Sequence, residues 1–188
     1  MKLNRREFFT GAVAAATFPS FNLGCASFGM SRARQIARGA KIRVGLIGCG
    51  LQTRAMIDGV LCEDLVAIVD PDPARFTWLD KYVADTCDAA ARENYASAKR
   101  FSTYQDMFDQ MGDELDAIVV ETPNHQHVLP AVMAIRRGIH VYLDKPLCLT
   151  AAEGDLLLEE ARKMPGILRD SSRRRSPSVA VRQRGLSR

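Results

Sequence analysis

The feature that most constrains the fold is a series of short apolar runs separated by segments with helical periodicity. Each run is rich in Val, Ile, Leu and Ala, which is typical of a strand buried on both faces. Strands that alternate with helices connect by right-handed crossovers and form a parallel sheet covered on both faces. The predicted strands lie at residues 42–47, 65–69, 116–120 and 139–143, with a short third strand at Phe101.

The intervening segments predict helices, so the whole pattern indicates a doubly wound α/β fold. These helices cover residues 53–60, a long segment that starts after Pro71 and Pro73, and residues 104–111, 127–137 and 151–163. Thr150 is placed to cap the last helix, with Glu153 completing a capping box. In such a sheet, ligands bind outside the carboxyl ends of the strands, at the switch point between the first and fourth strands.

Charge divides the chain into three parts. Residues 1–38 carry a net charge of about +5, residues 39–167 about −7 and residues 168–188 about +6, whereas the whole chain carries +4. We therefore predict a signal segment and linker at 1–38, a folded domain at 39–167 and a disordered basic tail at 168–188. The acidic domain argues against nucleic-acid binding, which needs basic side chains on the folded surface.

The amino-terminal segment resembles a twin-arginine export signal. Arg5 and Arg6 precede an alanine-rich apolar run at residues 11–18, which is too short to span a membrane. This route exports folded proteins, so we expect a periplasmic or secreted protein. A lipoprotein anchor at Cys25 fits less well, because Asn22 departs from that pattern. The alternative is an amphipathic helix with a chance arginine pair, in which case the protein stays in the cytoplasm.

The cysteines and histidines predict neither a disulfide framework nor a metal site. No two of the five cysteines form a Cys-x-x-Cys pair. His125 and His127 share a predicted turn, and the remaining histidine, His140, falls within a strand. A zinc site needs three or four converging ligands, which this set does not supply.

A glycine-rich turn follows the first strand and opens the first helix. Its first glycine permits a tight turn, and the second lets the backbone approach a pyrophosphate. Asp70, at the end of the second strand, is placed to bond ribose hydroxyls and to repel a 2′-phosphate. This favours NAD over NADP, although Arg75 would soften the repulsion; the alternative is a structural turn without a ligand. The predicted cofactor-binding residues here are Gly48, Gly50, Leu51, Gln52, Thr53 and Asp70, with Thr53 in place of the usual third glycine.

A second group of polar residues follows the fourth strand. Thr122 and Asn124 can form hydrogen bonds with a ribose or with the nicotinamide amide. His127 starts a predicted helix, so a structural role is favoured over a catalytic one for its side chain. We include four residues of this group in the predicted cofactor site: Thr122, Pro123, Asn124 and His127.

The end of the fifth strand supplies the predicted catalytic residue, Lys145. A lysine there would point into the ligand-binding crevice that is expected at the carboxyl ends of the strands. Its ammonium can hold a substrate hydroxyl or stabilise a developing alkoxide. Asp144, Lys145 and Pro146 also join the predicted cofactor site. The alternative is an ordinary surface lysine at the end of a strand.

Four motifs together resemble the N-terminal domain of the Gfo/Idh/MocA oxidoreductases, which include glucose–fructose oxidoreductase and inositol dehydrogenase. They are Gly-Leu-Ile-Gly-Cys-Gly at 45–50, Thr-Pro-Asn-His-Gln-His at 122–127, Gly-Ile-His-Val-Tyr at 138–142 and Asp-Lys-Pro-Leu at 144–147. The resemblance implies a dinucleotide-binding Rossmann fold and NAD(P)-linked oxidation or reduction of sugars, cyclitols or their derivatives. It also implies that Lys145 matches the lysine of the family's Glu-Lys-Pro motif, with Asp144 one methylene shorter than the usual glutamate.

The resemblance covers about residues 41–164 and stops before the second domain of the family. That domain supplies most substrate contacts, the usual catalytic histidine and the interface of the homo-oligomers. From about Leu168 the composition changes to Arg and Ser. We therefore expect a truncated product with little activity alone, whose sheet lacks a sixth strand. The alternatives are a non-catalytic NAD-binding module whose basic tail docks an acidic partner or membrane surface, and a minimal enzyme completed by another chain.

Overall fold

A single parallel sheet organises the part of the chain that the structure, a computed structural model, describes. The described residues are 40–164 and the backbone of 168–170, so the predicted signal segment and residues 171–188 lie outside them. The strands are β1 Arg43–Ile47, β2 Asp64–Val69, β3 Lys99–Phe101, β4 Ala117–Val120, β5 His140–Leu143 and β6 Leu168–Asp170. They pair in parallel in the order β3-β2-β1-β4-β5-β6.

Helices and 3₁₀ turns connect these strands. The α-helices are α1 Ile57–Leu61, α2 Pro73–Thr86, α3 Ala89–Ser97, α4 Tyr104–Met111, α5 Val128–Arg136 and α6 Ala151–Lys163. Short 3₁₀ turns lie at Leu51–Ala55, Gly112–Glu114 and Asn124–Gln126. The predicted doubly wound parallel sheet is confirmed, and the capping box of Thr150 and Glu153 forms as predicted.

Two local expectations about helices were wrong. The helix predicted at 53–60 is a 3₁₀ turn followed by the short helix α1. The sequence analysis also missed α3, which starts after an extended Cys87 and is capped by the Asp88 carboxylate, an acceptor for the Ala91 N–H at 2.8 Å. This cap is the local signal that separates α3 from α2.

The expectation that the sheet lacks a sixth strand was also wrong. Leu168–Asp170 pairs with β5 in parallel, with Leu168 opposite Val141 and Asp170 opposite Leu143. The predicted disordered tail therefore contains, in its first three residues, the edge strand of the sheet. Composition did not reveal this strand, because an edge strand of three residues is defined by backbone pairing with its neighbour rather than by buried side chains.

The core consists of two apolar layers, one on each face of the sheet. On one face, Met107, Ile135 and Leu157 come from α4, α5 and α6 and are at most 3% exposed. On the other face, Ile57 and Leu79 come from α1 and α2 and are fully buried. Each fully buried side chain of this size contributes about 1.5–3 kcal/mol to folding. The two layers clamp the sheet and hold the ends of the central strands in place.

Helices α5 and α6 are joined by a buried carboxylate. Glu160 accepts hydrogen bonds from Arg136 at 2.9 Å and Lys163 at 3.1 Å, and its side chain is 7% exposed. The hydrogen bond from Arg136, and then that from Lys163, lowers the pKa of Glu160 to about 2. A carboxylate with a depressed pKa stabilises the fold above its unfolded-state pKa and loses that contribution as the pH falls toward the folded-state pKa.

We therefore expect Glu160→Gln to lower the free energy of unfolding at pH 7. The difference in the free energy of unfolding between the variant and the wild type should shrink as the pH falls from about 4.5 to about 2. Urea unfolding of both proteins at pH 7, 4 and 3 measures this. Glu159→Gln is the matched control, because Glu159 also pairs with Lys163 but its side chain is 67% exposed. A difference between wild type and Glu160→Gln that stays constant down to pH 3 would contradict the prediction.

Candidate cofactor site

The carboxyl ends of β1, β2, β4 and β5 meet at one edge of the sheet. The segments that follow these strands carry every predicted site residue, at 48–53, 70, 122–127 and 144–146. Because parallel strands bring their carboxyl ends together, residues far apart in sequence converge there. The structure therefore places the segments that carry all the predicted residues at one edge of the sheet, where a crevice is expected in this kind of fold.

Gly48 is the point where the turn after β1 touches the end of β4. Its φ is +97°, which L-residues rarely adopt, and its N–H donates to the Val69 carbonyl at 2.8 Å. A Cβ at this position would lie 2.7 Å from the carbonyl carbon and oxygen of Glu121 and 2.9 Å from the Thr122 nitrogen. Both the backbone conformation and the packing therefore require glycine here.

Gly50 differs from Gly48 in both respects. Its φ is −75° and its ψ −177°, an extended conformation that any residue adopts. A Cβ would meet nothing within 4 Å. The neighbouring Leu51 is 57% exposed, and Gln52 is also exposed. The turn thus presents an uncovered stretch of backbone at the edge where the predicted residues meet.

Thr53 fits the place of the usual third glycine. It is fully buried, and its hydroxyl donates to the Gly48 carbonyl at 3.0 Å. The Thr53 side chain therefore ties the start of the 3₁₀ turn back to Gly48. The hydroxyl supplies a hydrogen bond that glycine could not make.

Asp70 holds two loops of the crevice together. Its Oδ2 accepts from the Cys49 N–H at 2.8 Å and its Oδ1 from the Asp72 N–H at 2.9 Å. The residue is 9% exposed. This bracing was not foreseen in the sequence analysis, because it depends on a contact across 21 residues. Each carboxylate oxygen has a second lone pair, so bracing leaves the predicted bond to a ribose hydroxyl open.

Cys49 is a buried thiol inside the glycine turn. It is fully buried, and its Sγ lies 3.9 Å from the Val69 carbonyl oxygen. Burial, and next the nearby Asp70 carboxylate, raises the pKa of the Cys49 thiol far above its ordinary value. The thiol therefore stays protonated and is not a nucleophile.

His127 links the segments after β4 and β5. Its Nδ1 lies 2.8 Å from the Pro146 carbonyl oxygen and its Nε2 2.9 Å from the Thr122 carbonyl oxygen, and the residue is 1% exposed. Both ring nitrogens thus face backbone acceptors of the chain itself. The imidazole contacts the two loops rather than the open crevice, which is the geometry of a structural side chain.

The other residues after β4 divide into enclosed and exposed groups. The Thr122 hydroxyl is enclosed and has no hydrogen-bond partner within residues 40–164. Pro123 and Asn124 are exposed. Glu121, the residue after β4, is 7% exposed beside Gly48, and its N–H donates to the Ile47 carbonyl at 2.8 Å. The backbone of Glu121 therefore borders the turn at Gly48.

Lys145 is exposed at the carboxyl end of β5. The preceding Asp144 donates its N–H to the Val120 carbonyl at 3.3 Å, and the following Pro146 is held by His127. The lysine is therefore flanked on both sides by backbone contacts to the segment around β4. These contacts hold the main chain on both sides of Lys145.

Among residues 40–164, no three His, Cys, Asp or Glu side chains come together in a group that could hold a metal ion. No helix in that part is long and apolar enough to cross a membrane.

The doubly wound sheet, the Gly48 turn packed on β4 and the open backbone at Gly50 together define a dinucleotide-binding domain. The chain belongs to the Gfo/Idh/MocA oxidoreductases, since the model of this oxidoreductase family with an NAD-binding Rossmann fold matches residues 42–169. The family predicted from the four motifs is thus confirmed, and the NAD-binding Rossmann fold of the family model agrees with the predicted cofactor, NAD.

Individual relatives agree with this assignment. Inositol 2-dehydrogenase 1 of Saccharopolyspora erythraea is 31% identical over 117 residues, which are 60% of this chain and 31% of that protein. The WlbA dehydrogenase of Bordetella pertussis, solved with NADH and UDP-GlcNAcA, is 27% identical with a TM-score of 0.53, covering 70% of this chain and 34% of that one. The scyllo-inositol dehydrogenase of Lactobacillus casei, solved with NAD(H) and scyllo-inositol, shares the fold at 18% identity with a TM-score of 0.56, covering 70% and 36%. The chain spans about a third of the length of the relatives it matches.

Proposed function

We propose that this chain binds NAD, in preference to NADP, with the pyrophosphate against the turn at residues 48–50. We further propose that it serves hydride transfer between NAD and a hydroxyl-bearing carbon of a sugar or cyclitol. The observation that carries the proposal is Gly50, a glycine that the fold itself does not need.

Neither the backbone conformation nor the packing of the protein requires glycine at position 50. Its extended backbone suits any residue, and a Cβ there would meet no protein atom within 4 Å. A glycine at such a position is explained if a ligand approaches the backbone more closely than a side chain allows. In the dinucleotide crevice the pyrophosphate makes that approach.

Lys145 is the side chain we propose for contact with the substrate. Bound NAD supplies the nicotinamide carbon that accepts or donates the hydride. The ammonium of Lys145 is exposed at the mouth of the crevice, where it can hold the reacting hydroxyl or stabilise the alkoxide that develops on its oxygen. His127 positions the Lys145–Pro146 backbone but has no nitrogen left to act as a base.

The substrate class rests on the relatives. One of them is named an inositol dehydrogenase, and another was solved with a UDP-sugar acid. Both kinds of molecule offer ring hydroxyls that NAD can oxidise. We therefore propose a polyhydroxylated ring, as a cyclitol or a sugar derivative, as the substrate of the whole enzyme, and a homo-oligomer as its assembly.

Titration of the purified chain with both cofactors tests the proposal. We expect NAD to bind with a dissociation constant between about 1 μM and 1 mM and NADP to bind more weakly. Gly50→Ala should weaken NAD binding by about tenfold or more without changing the unfolding midpoint, because its methyl group enters the space reserved for the pyrophosphate. Gly59→Ala, in α1, also meets open space and is the matched control.

Two results of this titration would contradict the proposal. Equal or tighter binding of NADP would show that Asp70 does not bind the ribose hydroxyl. Unchanged NAD affinity in Gly50→Ala would show that the pyrophosphate does not bind against the glycine turn.

We also propose that the protein is exported through the twin-arginine route, on the sequence of residues 5–18. Replacing both Arg5 and Arg6 with lysine should leave the protein in the cytoplasm, because this route selects for the arginine pair. Fractionation of cells that express each protein, followed by immunoblotting, measures the distribution. Lys2→Arg is a control that keeps the basic charge of the segment unchanged. Export that persists after the double exchange would indicate another route.

A further inference from the structure

A second aspartate, Asp72, contacts Asp70 through its backbone and pairs with a neighbouring arginine through its carboxylate. Asp72 donates its N–H to Asp70 Oδ1 at 2.9 Å, so the two residues are in direct contact. The Asp72 carboxylate in turn lies 3.7 Å from Arg75 Nε. The side chains of Asp72 and Arg75 are 54% and 47% exposed, so both can meet a ligand at this edge.

Asp72 is also the N-cap of α2. Its Oδ1 accepts from the Ala74 N–H at 2.9 Å, and its carbonyl accepts from the Arg75 N–H at 3.0 Å. A carboxylate is favoured and a cation disfavoured at the N-terminus of a helix. The position of Arg75 in the first turn is therefore supported by Asp72, which offsets its charge.

The adjacent Arg100, on β3, is already committed elsewhere. It donates to both oxygens of Asp80, at 3.1 and 2.5 Å, and lies over the rings of Phe76 and Tyr95. Arg75, five residues after Asp70, is instead paired with the exposed carboxylate of Asp72. A phosphate is the partner that a released guanidinium prefers.

We propose that Asp72 is a second determinant of the preference for NAD over NADP, because it holds Arg75 and keeps that cation from pairing with a 2′-phosphate. This inference rests on the proposed NAD site. The ribose hydroxyl bonded by Asp70 is the one that carries the extra phosphate in NADP. In the wild-type protein that phosphate would face the carboxylates of Asp70 and Asp72, while Arg75 would already be paired with Asp72.

The decisive variant is Asp72→Asn, since asparagine keeps the capping oxygen and removes only the charge. We expect its NADP affinity to rise about fivefold, in line with the strength of an exposed ion pair, and its NAD affinity to stay within about twofold. In the double variant Asp72→Asn with Arg75→Gln, NADP affinity should return to near the wild-type value. Asp88→Asn is the matched control, because Asp88 caps α3 in the same way, through the Ala91 N–H.

Fluorescence titration of the four proteins with NAD and NADP, after circular dichroism has shown equal helix content, distinguishes the outcomes. NADP affinity that is unchanged in Asp72→Asn overturns the inference while leaving NAD binding in place. A gain that persists without Arg75 overturns it too, since simple charge repulsion would then suffice. If Asp72→Asn loses helix content, Asp72→Ser provides a second capping residue without charge. Wild-type protein that binds neither cofactor removes the proposed function itself, and the Gly50→Ala titration tests that separately.

Discussion

Gly48→Ala is expected to lower the free energy of unfolding by about 3 kcal/mol or more. A φ of +97° alone costs a non-glycine residue about 1–3 kcal/mol. The new Cβ would in addition lie 2.7 Å from the backbone of Glu121, at the end of a central strand that cannot give way as a flexible side chain would. Relief requires β1 and β4 to separate at the crevice, so NAD affinity should fall as well.

Urea unfolding followed by circular dichroism measures this loss, and Gly50→Ala is its control two residues away. The same methyl group at Gly50 meets open space and an ordinary backbone conformation. The two variants therefore distinguish two roles of glycine within one motif. Gly48→Ala should lower the free energy of unfolding, whereas Gly50→Ala should weaken ligand binding only. Equal unfolding midpoints for wild type and Gly48→Ala would show that the turn is not packed on β4.

Much of the sheet was predictable because its signal is local. Buried apolar runs such as the one at 65–69 indicate a central parallel strand, and β2 was found within one residue of that range. The start of the helix at Ala151–Lys163 was predicted because its capping box depends on two residues close in sequence, Thr150 and Glu153. By contrast, β6 is defined by its pairing with β5, and no local sequence pattern at Leu168–Asp170 predicts a strand.

The same distinction applies to the crevice. Gly48, Asp70 and Lys145 could be named from motifs and spacing, and the structure brings the three segments that carry them to one edge. The roles that were missed depend on tertiary contacts. Asp70 braces the glycine turn through the Cys49 amide, and His127 bridges the carbonyls of Thr122 and Pro146. Sequence spacing places such residues near a site but does not reveal which backbone groups they bind.

The second large effect concerns turnover by the purified 188-residue chain, which we expect to bind NAD and yet to oxidise sugars and cyclitols little or not at all. Hydride transfer needs the substrate carbon within about 3–3.5 Å of the nicotinamide and a base on its hydroxyl. Within residues 40–164 the crevice offers the exposed Lys145 ammonium for one contact. His127 is occupied on both nitrogens and the Cys49 thiol is buried, so neither can act as the base.

NADH formation over a panel of inositols, sugars and UDP-sugars, at saturating NAD, measures turnover, with Lys145→Ala and Lys81→Ala assayed beside the wild type. Lys81 lies on α2 in an exposed pair with Asp85 and controls for the loss of a surface lysine. Turnover near background in all three proteins is the expected result, because Lys145 is exposed and water weakens the contact between an exposed ammonium and an alkoxide. Robust turnover that disappears only in Lys145→Ala would instead show that this chain is a minimal enzyme. Tight NAD binding without turnover, together with retention on an acidic partner that requires residues 171–188, would favour a non-catalytic NAD-binding module.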